Sequence, residues 1–276
     1  MTAAMTNSVT SLHVNIEPHA AGPVYRMTLA RPERLNTVDS RILKDMLGAL
    51  TRIADDDAAR AVILDGAGGK AWIGGADINE MVTLNEESAR CFITGLHEVC
   101  RALRELPVPV IARIDGFCLG AGLELAACCD VRIASLTSRF GMPEVQVGIP
   151  SVIEAALLPR LIGAGRARDL VLTGRIIDSQ EAFAWGLVEC AVSAERLDAT
   201  VEDRLAMILH AAPGAIRAQK TLCRQWEEMP LNTALKAGID AFAESFRDHE
   251  PREYMRRFLD RPRPNPPLTP GEHSDD

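Results

Sequence analysis

Apolar residues along this chain switch repeatedly between two periods, and the switches mark out its elements. Short or alternating apolar runs at residues 12–18 (LHVNIEP), 24–30 (VYRMTLA), 60–66 (RAVILDG) and 107–116 (PVPVIARIDG) predict strands, because strand side chains alternate between faces. Residues 40–55 and 86–105 carry apolar positions at helical spacing instead. A loop is expected through GGKAWIGGADINEM, and LGAGLELAACC (119–129) is a strongly apolar segment with helical character. The arrangement of strands and helix occurs twice, which permits a spiral of similar α/β turns although the copies share no sequence identity. After Gly163 strand signals thin out. Amphipathic helices are predicted near 164–172, 194–211, 213–228, 231–246 and 250–260, with Pro213 and Pro230 at their breaks.

This pattern divides the chain into a flexible N-terminus (1–11), a main α/β core (12–200), a helical region (201–260) and a tail (261–276). The tail, RPRPNPPLTPGEHSDD, is rich in proline and polar residues, has little apolar area to bury and is expected to be flexible. Composition adds that 47% of residues are hydrophobic and 25% charged, as in ordinary globular proteins. A net charge of -8 disfavours nonspecific attraction to nucleic acid or an anionic membrane. No apolar window approaches a membrane span and the first basic residue is Arg26, so a cytoplasmic location is expected. The seven cysteines lack zinc spacing and read as reduced core thiols. No metal is expected.

Two glycine-rich segments, AWIGGADINEM (71–81) and GFCLGAGLEL (116–125), fit no nucleotide-binding motif. Such loops can bring two backbone N–H groups close to one developing oxyanion, or they can simply pack small residues between layers. Glu124 is a carboxylate inside an otherwise apolar helix, which needs a function or an ion pair, with Arg132 or Arg139 as candidates. Glu144 lies in FGMPEVQVGIP, where Pro143 disfavours helix at Met142 and alternating valines predict a short extended segment. A turn could bring the two carboxyls together. One would then hold a proton while the other acts as base. Asp77-Ile-Asn-Glu80 and Ser151-Val-Ile-Glu154 both have the form of helix capping boxes, so Asp77 and Glu154 are read as caps. The six histidines are read as surface or cap residues.

Taken in order and spacing, RPERLNTVDS (31–40), AWIGGADINEM, IDGFCLGAGLELAACCDVRIAS (114–135), FGMPEVQVGIP (140–150), LTGRIIDSQEAFAWGLV (172–188) and FRDHEPREYMRRFLDRP (246–262) resemble the crotonase, or enoyl-CoA hydratase/isomerase, family. The resemblance implies a spiral of ββα turns, with residues 201–260 as a trimerisation region, and a homotrimer or homohexamer. It implies that the backbone N–H groups of Ala76 and Ala121 hold a thioester oxygen, and that Glu124 and Glu144 hydrate a 2-enoyl-CoA. In that reading Glu144 is the main proton donor to Cα and Glu124 positions and activates water. Gly75, Asp77, Ile78, Gly120 and Gly148 are expected around the substrate, whose coenzyme A moiety replaces any separate cofactor. Two departures stand out: Asn79 where many relatives carry lysine, and IPSVIEAALLPRLIG (149–163) in place of a glycine-rich stretch. A double-bond isomerase, another acyl-CoA lyase or hydrolase, and an RNA-binding or inactive scaffold of the same fold are the rival readings.

Overall fold

The computed structural model describes residues 11–260. β1 (Leu12–Glu17) and β2 (Val24–Leu29) form an antiparallel hairpin, and after α1 (Ser40–Ala54) the chain adds β3 (Ala61–Gly66) parallel to β2. It then crosses to a second sheet with β4 (Ala71–Ile73), passes through the short α2 (Ile78–Met81) and the long α3 (Glu86–Glu105), and returns as β5 (Val110–Ile114). The next turn is β6 (Phe117–Leu119), α4 (Ala121–Ala127) and β7 (Val131–Ser135), and β8 (Arg139–Gly141) follows. Strands β3, β5 and β7 are parallel neighbours in one sheet, and β4, β6 and β8 in the other. One strand to each sheet and then a helix is the ββα spiral.

α5 (Leu158–Ile162), α6 (Ala164–Thr173), β9 (Ile176–Asp178), α7 (Ser179–Trp185) and β10 (Cys190–Val192) close the sheets, whose orders are β1-β2-β3-β5-β7-β10 and β4-β6-β8-β9. α8 (Ala194–His210), α9 (Pro213–Glu228), α10 (Leu231–Ser245) and α11 (Glu250–Leu259) complete the described chain.

The central strands of the larger sheet, β3 and β5, are buried on both faces, and strand alternation sorts their residues. Val62 and Leu64 of β3 join the main core with α1 and α3, while Ala61 and Ile63 point the other way onto Leu197, Val201 and Leu205 of α8. α1 contributes Ile42, Met46, Leu50 and Ile53 from one face, each contributing roughly 1.5–3 kcal/mol on full burial. Asp39 caps this helix by accepting from the Ile42 N–H at 2.9 Å. Gly122 shows how tightly the layers meet, since a Cβ there would lie 2.1 Å from the Ile73 carbonyl oxygen.

Several expectations need revision. The loop at 68–81 contains β4 and α2, and β9 and β10 follow Gly163; three-residue strands leave almost no periodic signal. The boundary placed at residue 200 falls inside α8. The terminal segments 1–11 and 261–276 lie outside the described residues except for Ser11, whose carbonyl accepts from the Ala30 N–H. All seven cysteines are free, yet Cys91 and Cys223 are exposed rather than in the core. Among the described residues no helix is long and apolar enough to cross a membrane.

Candidate active site

The site forms where the two sheets' connections converge. Gly120 ends β6 with φ 53 and ψ -121, a conformation that favours glycine, and its carbonyl accepts the Glu124 N–H at 3.0 Å to start α4. Ala121 is the first residue of that helix, so its N–H lies outside the helical ladder. Ala76 sits beside it in the cavity wall, held by a parallel bridge to Val38 whose two bonds run from Val38 N–H to Gly75 and from Asp77 N–H to Val38. Neither bond uses the Ala76 N–H. Two backbone donors are thereby available on adjoining segments.

Glu124 is 4% exposed, one turn into α4, and its Oε1 accepts the Ala155 N–H at 3.2 Å. The ion pair considered for it does not form: Arg132 binds Glu189 and backbone carbonyls, and Arg139 binds the carbonyls of Thr137 and Ser138. Burial pushes the Glu124 carboxyl up to about 8, aided by the charges of Glu144 and Glu154 and opposed by the Ala155 N–H. It therefore holds its proton at neutral pH.

Glu144 comes from a 3-10 turn, Pro143–Val147, where an extended segment was expected. Met142, at φ -122 and ψ 76, stays out of the helical region as its proline neighbour requires, but Pro143 itself sits at the first helical position, where its missing N–H costs nothing, and Gly148 closes the turn at φ 84. Glu144 Oε2 accepts from the Ser151 hydroxyl at 2.8 Å. Its Oε1 lies 2.5 Å from where a Gly120 Cβ would stand, so only glycine lets that carboxyl approach α4.

A cavity of about 660 Å³ brings together Gly75, Ala76, Ile78, Gly120, Ala121, Glu124 and Glu144, with Leu84, Phe92, Ile93, Leu96, Ile149 and Val152 among its apolar walls. Asp77 and Gly148 do not line it: Asp77 is buried beside it and Gly148 is exposed. Asp77 caps α2 through the Asn79 N–H and pairs with Arg31 and Arg34 at 3.4 and 3.3 Å. Burial opposes its ionisation, but the Asn79, Arg34 and Arg31 donors prevail and hold it below the usual carboxylate range. Glu80 does not complete a capping box, because it reaches away to the Ser40 N–H.

The second capping box is absent altogether. Ser151 binds Glu144, while Glu154 is buried and its Oε1 meets His97 Nδ1 at 2.8 Å. His97 is thus neither a cap nor simply a surface residue. Sequence reasoning also missed Ser151 as a site residue; a serine seven positions beyond a glutamate carries no spacing signal.

Fold and cavity together define an α/β protein with a buried acid, a second carboxyl and two free backbone donors lining one apolar chamber. The chain belongs to the enoyl-CoA hydratase/isomerase family, whose model matches residues 19–266. It is 37% identical to the short-chain-enoyl-CoA hydratase of Clostridium acetobutylicum over 90% of this chain and 95% of that one. The crotonyl-CoA hydratase of Syntrophomonas wolfei is 36% identical, with 85% and 91% covered. An enoyl-CoA hydratase structure from Bacillus anthracis superposes with a TM-score of 0.86 at 32% identity, covering 91% of this chain and 96% of its own.

Proposed function

We propose that this protein is an enoyl-CoA hydratase that adds water across a trans-2-enoyl-CoA to give a 3-hydroxyacyl-CoA. The observation that carries the reading is the convergence of Glu124, Glu144, Ala76 and Ala121 on one cavity. The water oxygen attacks Cβ, and the π electrons move to the thioester oxygen, where the Ala76 and Ala121 N–H groups receive the developing negative charge. Glu144 takes the proton leaving that water. When the enolate collapses, Glu144 delivers it to Cα. Glu124 positions the water; because burial keeps it protonated, the water-activating share expected of it passes to Glu144. Ser151 holds Glu144 Oε2 so that Oε1 stays over Gly120. No cofactor is required beyond the coenzyme A carried by the substrate.

Self-association as a trimer or hexamer belongs to the same proposal. Leu231, Leu235, Ile239 and Phe242 form an exposed apolar stripe on α10, and Met255, Phe258 and Leu259 are exposed on α11. Light scattering coupled to gel filtration tests this. Product identification tests the chemistry: a 2-enoyl-CoA should gain the mass of one water, whereas rapid isomerisation of a 3-enoyl-CoA without net hydration would favour an isomerase.

A further inference from the structure

Behind the cavity lies a polar pair that the proposed hydration does not use. Glu154 is 5% exposed, one of the few buried carboxyls among the described residues, and sits in the 3-10 turn Ile153–Leu157. Its Oε1 meets Nδ1 of the half-exposed His97 on α3 at 2.8 Å, and its Oε2 has no hydrogen-bond partner among the described residues. A buried carboxyl is costly to leave half satisfied, so a fold that keeps one there ties it to another constraint.

The next residue supplies that constraint. The Ala155 N–H is shared between the Val152 carbonyl at 2.9 Å and Glu124 Oε1 at 3.2 Å. It is the hydrogen bond that fixes the buried acid of the site. The residue before, Ile153, has φ 37, a left-handed conformation that is steeply unfavourable for a β-branched side chain and persists only where its surroundings over-determine it. Packing of the Ile153 side chain against the main core holds one side of this turn. The His97–Glu154 bond holds the other, linking the turn to a twenty-residue helix.

We propose that His97 and Glu154 form a positioning pair that clamps the 153–155 turn and so keeps the Ala155 N–H on the Glu124 carboxyl. His97 donates from Nδ1 to a carboxylate that can only accept. Neither residue lines the cavity, and both act through Glu124. The assignment of Glu124 to the reaction rests on the hydratase reading; the clamp itself does not. The groups that bear on this titration are Glu144 and Glu154 around Glu124, Glu98 beside His97, and the buried thiol pair Cys100 and Cys128, of which Cys100 feels the charges of both Glu124 and Glu154.

The charge and the clamp predict opposite effects, which separates them from a general structural role. Glu154→Gln keeps the acceptor for His97 but removes a negative charge near Glu124, and so lowers the pH at which Glu124 ionises. His97→Ala frees the turn and leaves Glu154 uncompensated, which raises it. His97→Asn, whose amide donor can stand where Nδ1 stood, restores the native value.

The carboxylic-acid stretching band that disappears in Glu124→Gln reports this ionisation by infrared titration without any need for turnover. Its midpoint should fall by at least about 0.5 pH unit in Glu154→Gln and rise by a similar amount in His97→Ala. With crotonyl-CoA, His97→Ala should lower kcat about tenfold at nearly unchanged KM, and His97→Asn should recover most of it. Midpoints equal to the native one, or moving in the same direction in both variants, would overturn the clamp. Absence of hydration by the native protein, with the infrared shifts intact, would overturn only the reading of the reaction.

Discussion

Replacing Glu124 by glutamine should make the folded protein more stable at neutral and alkaline pH while lowering its activity. Folding raises this carboxyl from its ordinary 4.5 to about 8, chiefly by burial. Between those values the folded chain binds more protons than the unfolded one, so stability falls as pH rises through the window, and the full penalty is present above pH 8. At about 1.36 kcal/mol per pH unit the gap corresponds to roughly 5 kcal/mol above pH 8 and about 3 kcal/mol at pH 7. Glutamine preserves the shape and still accepts the Ala155 N–H, but carries no charge to desolvate. Its extra amide donor costs on the order of 1 kcal/mol if no acceptor meets it. The variant should therefore match or slightly trail the native protein near pH 5 and gain about 4 kcal/mol relative to it by pH 9. Thermal midpoints measured across that range should diverge by about 10 °C. A difference that is independent of pH, or that grows toward acid, would refute the assignment of a buried proton to Glu124.

Other perturbations probe separate parts of the site and its frame. Gly120→Ala places a methyl 2.5 Å from Glu144 Oε1 at φ 53, and turnover of crotonyl-CoA should fall about a hundredfold with the fold retained by circular dichroism. Ser151→Ala removes one hydrogen bond to Glu144 Oε2 and should reduce kcat about fivefold to tenfold in the same steady-state assay. Lys220 is buried with its Nζ on Asp130 and on the carbonyls of Leu103 and Val108, so Lys220→Met should destabilise the protein by about 3–5 kcal/mol in urea unfolding with little effect on KM.

The long helices were legible in the sequence because each writes one apolar face at a fixed spacing, as α1 does with Ile42, Met46, Leu50 and Ile53. Strands β4, β6, β8, β9 and β10 were not, because three residues hold no period and their pairing is set by neighbours distant in the chain. Glu124 could be found as a carboxylate in an apolar run, and the glycines beside it by their density. The 3-10 turn carrying Glu144 was misread because alternating valines also occur where a proline opens a turn and a glycine closes it. Glu154 was misread for a deeper reason. Its capping-box spacing is local, whereas its partner His97 lies 57 residues away and is brought to it only by packing of α3 against the turn.

The most direct measurement is loss of the conjugated enoyl-thioester absorbance with crotonyl-CoA, taken with product identification for the native protein, Glu124→Gln and Glu144→Gln. Formation of 3-hydroxybutyryl-CoA by the native protein, with turnover lowered by orders of magnitude in both variants, is the expected result. Hydration that survives either substitution at near-native rate, or no hydration across several acyl-chain lengths, would contradict a paired-glutamate site.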